Sequence, residues 1–131
     1  MPHLILEYTA DLPREVAGPE LFGRLHGVLV EVGGIALANC KSRAVALERS
    51  MVGDGTGEQG FVHLDVRFLE GRAQAVKAAI GQALLEVLRE AYAGAPAGVQ
   101  ITVEVGDIPR AGYFKHPAGT LGAPAGEEGR S

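Results

Sequence analysis

The sequence predicts an α+β fold in two layers, a four-stranded sheet made of tandem β-α-β units with two helices on one of its faces. Three observations predict it. Strand-like and helix-like stretches alternate in the order β-α-β, then β-α-β. The two halves, each about 50 residues long, hold similar parts at similar spacing and read as an internal structural repeat. Each helical stretch is apolar along one side only, which asks for a sheet to cover it. A β-α-β connection leaves its two strands parallel and turns right-handed.

Taken in order, residues 3–8 form the first strand, and residues 9–18 are rich in turn formers. Gly18 and Pro19 mark a helix start, because proline in the first turn gives up an amide that has no partner within the helix. Leu21, Phe22, Leu25, Val28, Leu29 and Val32 then recur at helical spacing, and Gly33-Gly34 ends the run. Residues 39–47 read as the second strand. Residues 51–60 hold four glycines and read as a flexible connector. Residues 61–68 are the clearest strand, with Phe61, His63, Asp65 and Arg67 on one face and Val62, Leu64, Val66 and Phe68 on the other. Glu70-Gly71 makes a turn into a second helix over 72–92, whose apolar side carries Val76, Ile80, Leu84, Val87 and Leu88. Residues 99–105 form the last strand. Residues 1–117 read as a single domain and 118–131 as a flexible tail, the chain being rich in proline and glycine from Gly106 onward.

Both helices lie on one face of such a sheet, so the other face has no cover within the chain. Its mixture of Phe61, His63, Asp65 and Arg67 suits a contact between subunits, and a closed symmetric oligomer is expected.

Composition narrows the function. With 131 residues, 47% hydrophobic and 21% charged, the chain has the make-up of a globular domain. A net charge of −4 argues against nucleic acid as the main partner, and the absence of tryptophan against a base-stacking platform. Cys40 is the only cysteine, so no internal disulfide forms. It reads as a buried inert thiol, and a cytoplasmic location is expected. No stretch reads as a signal peptide or as a membrane span. The four histidines show no zinc-like spacing, and no metal is expected. The glycines at 53, 55 and 57 are not followed by the Lys-Ser/Thr of a phosphate loop, and no Gly-x-Ser-x-Gly elbow is present.

The chemical signal is Met1-Pro2-His3, running straight into the apolar Leu4-Ile5-Leu6. An initiator methionine ahead of proline is normally removed, which leaves Pro2 with a free secondary amine at the mouth of a strand. Burial and nearby cations favour the neutral form of an amine, and a base poised near neutral pH moves protons efficiently. A negatively charged substrate would need cations to hold it. Lys41 and Arg43 project from the same face of the second strand, and Arg72 follows the Glu70-Gly71 turn. His3 is a substrate-binding candidate that could orient or polarise a group beside Pro2, the other reading being a packed strand histidine.

Pro2-His3 opening a strand, the β-α-β repeat, Lys41-Ser42-Arg43, Phe61-Val62-His63 and Gly71-Arg72 together resemble the 5-carboxymethyl-2-hydroxymuconate Δ-isomerase family of the tautomerase superfamily, over roughly residues 1–114. The resemblance implies a homotrimer with the sheets packed into a barrel-like centre. It also implies an enzyme of homoprotocatechuate breakdown that uses neither metal nor organic cofactor. Pro2 would shuttle a proton as base and then acid, and Arg72 would bind a substrate carboxylate. The position matching Lys41 usually holds arginine in that family. Lysine keeps the charge without the planar fork, and Arg43 is the alternative source of one. Three other readings stay open: a sister tautomerase for another enol acid, a non-catalytic trimeric binding module on the same fold, and a generic α+β oligomer in which Met-Pro is accidental.

Overall fold

The computed structural model describes residues 1–117. The tail expected over 118–131 lies outside them. The strands are β1 (His3–Thr9), β2 (Lys41–Leu47), β3 (Phe61–Leu69) and β4 (Gln100–Ile108), and the helices are α1 (Pro19–Glu31) and α2 (Gln74–Ala91). Short 3-10 turns occupy Arg14–Val16, Leu37–Asn39 and Arg110–Gly112.

The sheet order is β2-β1-β3-β4. β1 runs parallel to β2, and β3 parallel to β4, as the crossover argument requires. The two units join through their first strands, β1 against β3 antiparallel, with Leu6 facing Leu64 at the centre. One face of the sheet is Leu4, Leu6, Tyr8, Val62, Leu64, Val66 and Phe68, and these pack against Leu21, Leu25 and Leu29 of α1 and Ile80, Leu84 and Leu88 of α2. The apolar stripes read from the sequence therefore meet in one core. Arg24 pairs with Glu90 across the two helices.

Three boundaries differ from the sequence reading by two residues or more. The second strand starts at Lys41, because the backbone closes a tight turn first, with Cys40 N–H donating to the Leu37 carbonyl at 3.1 Å. The last strand continues to Ile108, since Gly106, Asp107 and Ile108 pair with Arg67, Phe68 and Leu69. Pro109, which has no amide to give, ends that ladder. The second helix begins at Gln74, so Arg72 lies in the turn before it.

The glycine-rich connector carries its own hydrogen bonds. Val52 N–H donates to Gln59 Oε1 at 2.8 Å, Gln59 Nε2 donates to the Thr56 carbonyl at 3.2 Å, and Thr56 Oγ1 donates to Asp54 Oδ1 at 2.6 Å.

The face away from the helices is polar and networked. His63 Nδ1 lies 2.7 Å from Thr102 Oγ1, His63 Nε2 lies 3.3 Å from Glu104 Oε1, and Arg67 Nε lies 3.3 Å from Asp65 Oδ2. No helix of the described residues is long and apolar enough to cross a membrane.

Candidate active site

One end of the sheet gathers every group of interest. β1 and β2 begin there, and β3 and β4 end there, as the pairing of His3 with both Lys41 and Arg67 shows. The chain start, the turn after β3 and the segment after β4 consequently meet. Pro2 is buried, and its carbonyl accepts the Lys41 backbone N–H at 3.2 Å, so the strand ladder holds the first residues in place. Met1 precedes it and is 1% exposed.

The terminal amine in this structure belongs to Met1, while the Pro2 nitrogen is an amide. The Met1 amine reports the field at that place. Its pKa falls from 8.0 to about 5, first because burial disfavours the cation, then because Lys41 and Arg72 repel it, with a smaller push from Lys115. The Cys40 thiol acts in the opposite direction. The Met1 amine is therefore neutral at neutral pH.

Each cation is held by its own local structure. Arg72 Nη1 donates to the Leu69 carbonyl at 3.5 Å, and its guanidinium carbon sits 4.9 Å from the centre of the Phe68 ring. Phe68 is wholly buried, so the arginine caps the end of the core and faces the chain start. Gly71 has φ 125°, a conformation that side chains with a Cβ rarely adopt, and this turn delivers Arg72 to the site. Lys41 Nζ donates to the Asn39 carbonyl at 3.0 Å. Cys40 is half-buried rather than buried, and burial raises its thiol pKa, which keeps it protonated and unreactive as a nucleophile.

Arg43 and His3 form a separate pair. Arg43 Nη1 donates to His3 Nδ1 at 3.2 Å. Arginine has only donors, so Nδ1 must accept and the ring proton resides on Nε2. That Nε2–H donates to the Tyr113 hydroxyl at 2.8 Å. Burial, then Arg43, Lys41 and the terminal amine, lower the His3 pKa and keep the ring neutral.

Of the residues singled out from the sequence, Pro2, Lys41 and Arg72 converge on the terminal amine. Arg43 is spent on His3, so the fork that Lys41 lacks is not simply supplied by Arg43. The sequence reading missed Tyr113 and Lys115. They lie in a stretch of high proline and glycine content with no periodicity to mark it. Among the described residues, no three His, Cys, Asp or Glu side chains gather to hold a metal ion.

This architecture, a doubled β-α-β sheet with two helices on one face, is that of the tautomerase superfamily. The structure is similar to a fused 4-OT symmetric trimer (20% identity, covering 91% of this chain and 95% of the other, TM-score 0.71), which at that identity shows the fold alone. The family model of 5-carboxymethyl-2-hydroxymuconate isomerase matches residues 2–118, and the chain belongs to that family of isomerases. A 5-carboxymethyl-2-hydroxymuconate isomerase from Deinococcus radiodurans R1 is 36% identical, with 87% of each chain covered and a TM-score of 0.77. A 5-carboxymethyl-2-hydroxymuconate delta-isomerase structure is 20% identical, with coverage of 92% and 90% and a TM-score of 0.70. Among curated proteins no match was found.

Proposed function

We propose that this isomerase converts 5-carboxymethyl-2-hydroxymuconate to its 2-oxo-3-ene isomer, with the amine of Pro2, freed by removal of Met1, as base and then acid. The observation that carries the reading is the field at the chain start, where burial, Lys41 and Arg72 together hold an amine well below its ordinary range. Neutral Pro2 takes the proton of the 2-hydroxyl group, directly or through water, and the electron pair moves along the diene as the C2 oxygen becomes a ketone. Pro2 then returns a proton to C5. Arg72 and Lys41 hold carboxylates and face the negative charge that spreads along the conjugated system. Fixed cations aimed at developing charge are usually the largest catalytic contribution. The step moves one proton and calls for no cofactor.

Met1 fills the ground in front of Pro2 while it is attached, so its loss would both create the base and open the space. The uncovered polar face of the sheet supports a homotrimer in which three such faces meet. The pathway is homoprotocatechuate breakdown and the location cytoplasmic, in keeping with the unpaired Cys40.

An ultraviolet assay on 5-carboxymethyl-2-hydroxymuconate tests this, using protein whose intact mass shows that Met1 is gone. Fast loss of the dienol absorbance is expected. No rate above buffer with Pro2 free would overturn the substrate assignment. A second reading, a sister tautomerase acting on another enol acid, is favoured by Lys41, which stands where the family usually carries arginine and is tied to the Asn39 carbonyl. Retention of Met1 in the purified protein would instead favour a binding module without this chemistry.

A further inference from the structure

The segment after β4 is tied down at two points. The Arg110 backbone N–H donates to Glu70 Oε2 at 2.9 Å, which fastens the segment to the same turn that delivers Arg72. Three residues on, Tyr113 receives the His3 hydrogen bond and meets the imidazole edge to face, with ring centres 5.9 Å apart. Between these points the Arg110–Gly112 turn lays the chain across the start of β1. Tyr113 and Lys115 are half-buried, whereas Phe114 between them is 88% exposed, so alternate side chains turn toward the site. The Lys115 charge reaches the terminal amine, as do those of Lys41 and Arg72. No carboxylate among the described residues pairs with Lys115. A half-buried ammonium with no carboxylate partner among the described residues is an arrangement that a bound anion relieves.

We infer that Lys115 is a substrate-binding residue that takes the carboxylate of the carboxymethyl arm, and that Tyr113 is the positioning residue that holds Lys115 in place through His3. This rests on the isomerase reading above. That substrate carries three carboxylates, two on the muconate chain and one on the arm. Arg72 and Lys41 provide for two, and Arg43 is engaged with His3. Lys115 is the remaining cation whose charge reaches the chain start.

The test compares kcat/KM on 5-carboxymethyl-2-hydroxymuconate with kcat/KM on 2-hydroxymuconate, which lacks the arm, for the parent and for Lys115→Met, Lys115→Arg and Tyr113→Phe. Lys115→Met is expected to lose roughly tenfold more on the triacid than on the diacid, the size of one charge-assisted hydrogen bond. Lys115→Arg should restore most of that difference. Tyr113→Phe should show the same selective loss in smaller measure, expressed in KM; a merely structural role would lower both substrates alike. Equal losses on the two acids in Lys115→Met would overturn the inference. A parent that turns over neither acid would overturn the reaction assignment instead. Calorimetric binding of propane-1,2,3-tricarboxylate and of pentanedioate then decides the role of Lys115: triacid affinity lost selectively in Lys115→Met supports it, and unchanged affinity refutes it.

Discussion

At the scale of single residues, the proposed mechanism makes one device of Pro2 and the cations near the chain start. The same charges that would bind a polyacid also hold the amine neutral, so affinity and base strength are coupled. Replacing Pro2 by alanine leaves a primary amine in the same field, of different basicity and freer rotation. A loss of about a hundredfold or more in kcat is expected, within the range of positioned acid–base groups, with an unchanged thermal midpoint. A Pro2→Ala protein as active as the parent would remove the role assigned to it. The pH profile tests the field itself. The neutral amine is the active form, so kcat/KM rises with pH through the amine's pKa. That limb should lie below the ordinary range of a secondary amine, because burial and then Lys41 and Arg72 disfavour a cation at the chain start, as they do for the Met1 amine. Arg72→Ala removes one of those charges, so the limb should move to higher pH while KM rises. A limb that stays in place would mean that Arg72 does not face the base.

At the scale of elements, the turn between β3 and α2 illustrates how backbone geometry serves the site. Gly71 at φ 125° leads from Leu69 and Glu70 to Arg72, whose guanidinium is then seated over Phe68. An alanine at 71 would hold a strained conformation or re-aim the turn, at about 1–3 kcal/mol. Gly71→Ala should therefore lower the urea midpoint and raise KM together. A stable variant with normal KM would show that the turn does not set the position of Arg72. Element type was legible because side-chain period differs between helix and strand, and the stripes of α1, β3 and α2 are unbroken. Element ends were less so. Gly106 has weak strand preference, and only its pairing with Arg67 keeps β4 going to Ile108. The Glu70 carboxylate that receives Arg110 is likewise invisible until β3 and β4 lie side by side.

At the scale of the whole molecule, the sheet face opposite the helices bears on assembly. It carries the His63, Thr102 and Glu104 network beside Val45, an apolar side chain that is 45% exposed. Exposure in the single chain means that a larger polar side chain at 45 meets little steric resistance within one subunit. Val45→Arg should therefore fold with a parent-like circular dichroism spectrum yet fail to assemble. Sedimentation would then give the mass of one chain for the variant and of three for the parent. A variant that remains trimeric would place the subunit contact elsewhere.

The order of elements, the one-sided core and the candidate base at Pro2 follow from the sequence alone, because they depend on local periodicity and on the chemistry of single residues. Lys41 and Arg72 could be named as cations from the sequence, but only the fold shows that they converge on one amine while Arg43 turns to His3. The roles proposed for Tyr113 and Lys115 rest wholly on the tertiary structure. Both lie more than a hundred residues from Pro2. They come to the chain start because β4 runs parallel to β3 and antiparallel to β1, which returns the end of the described chain to its beginning.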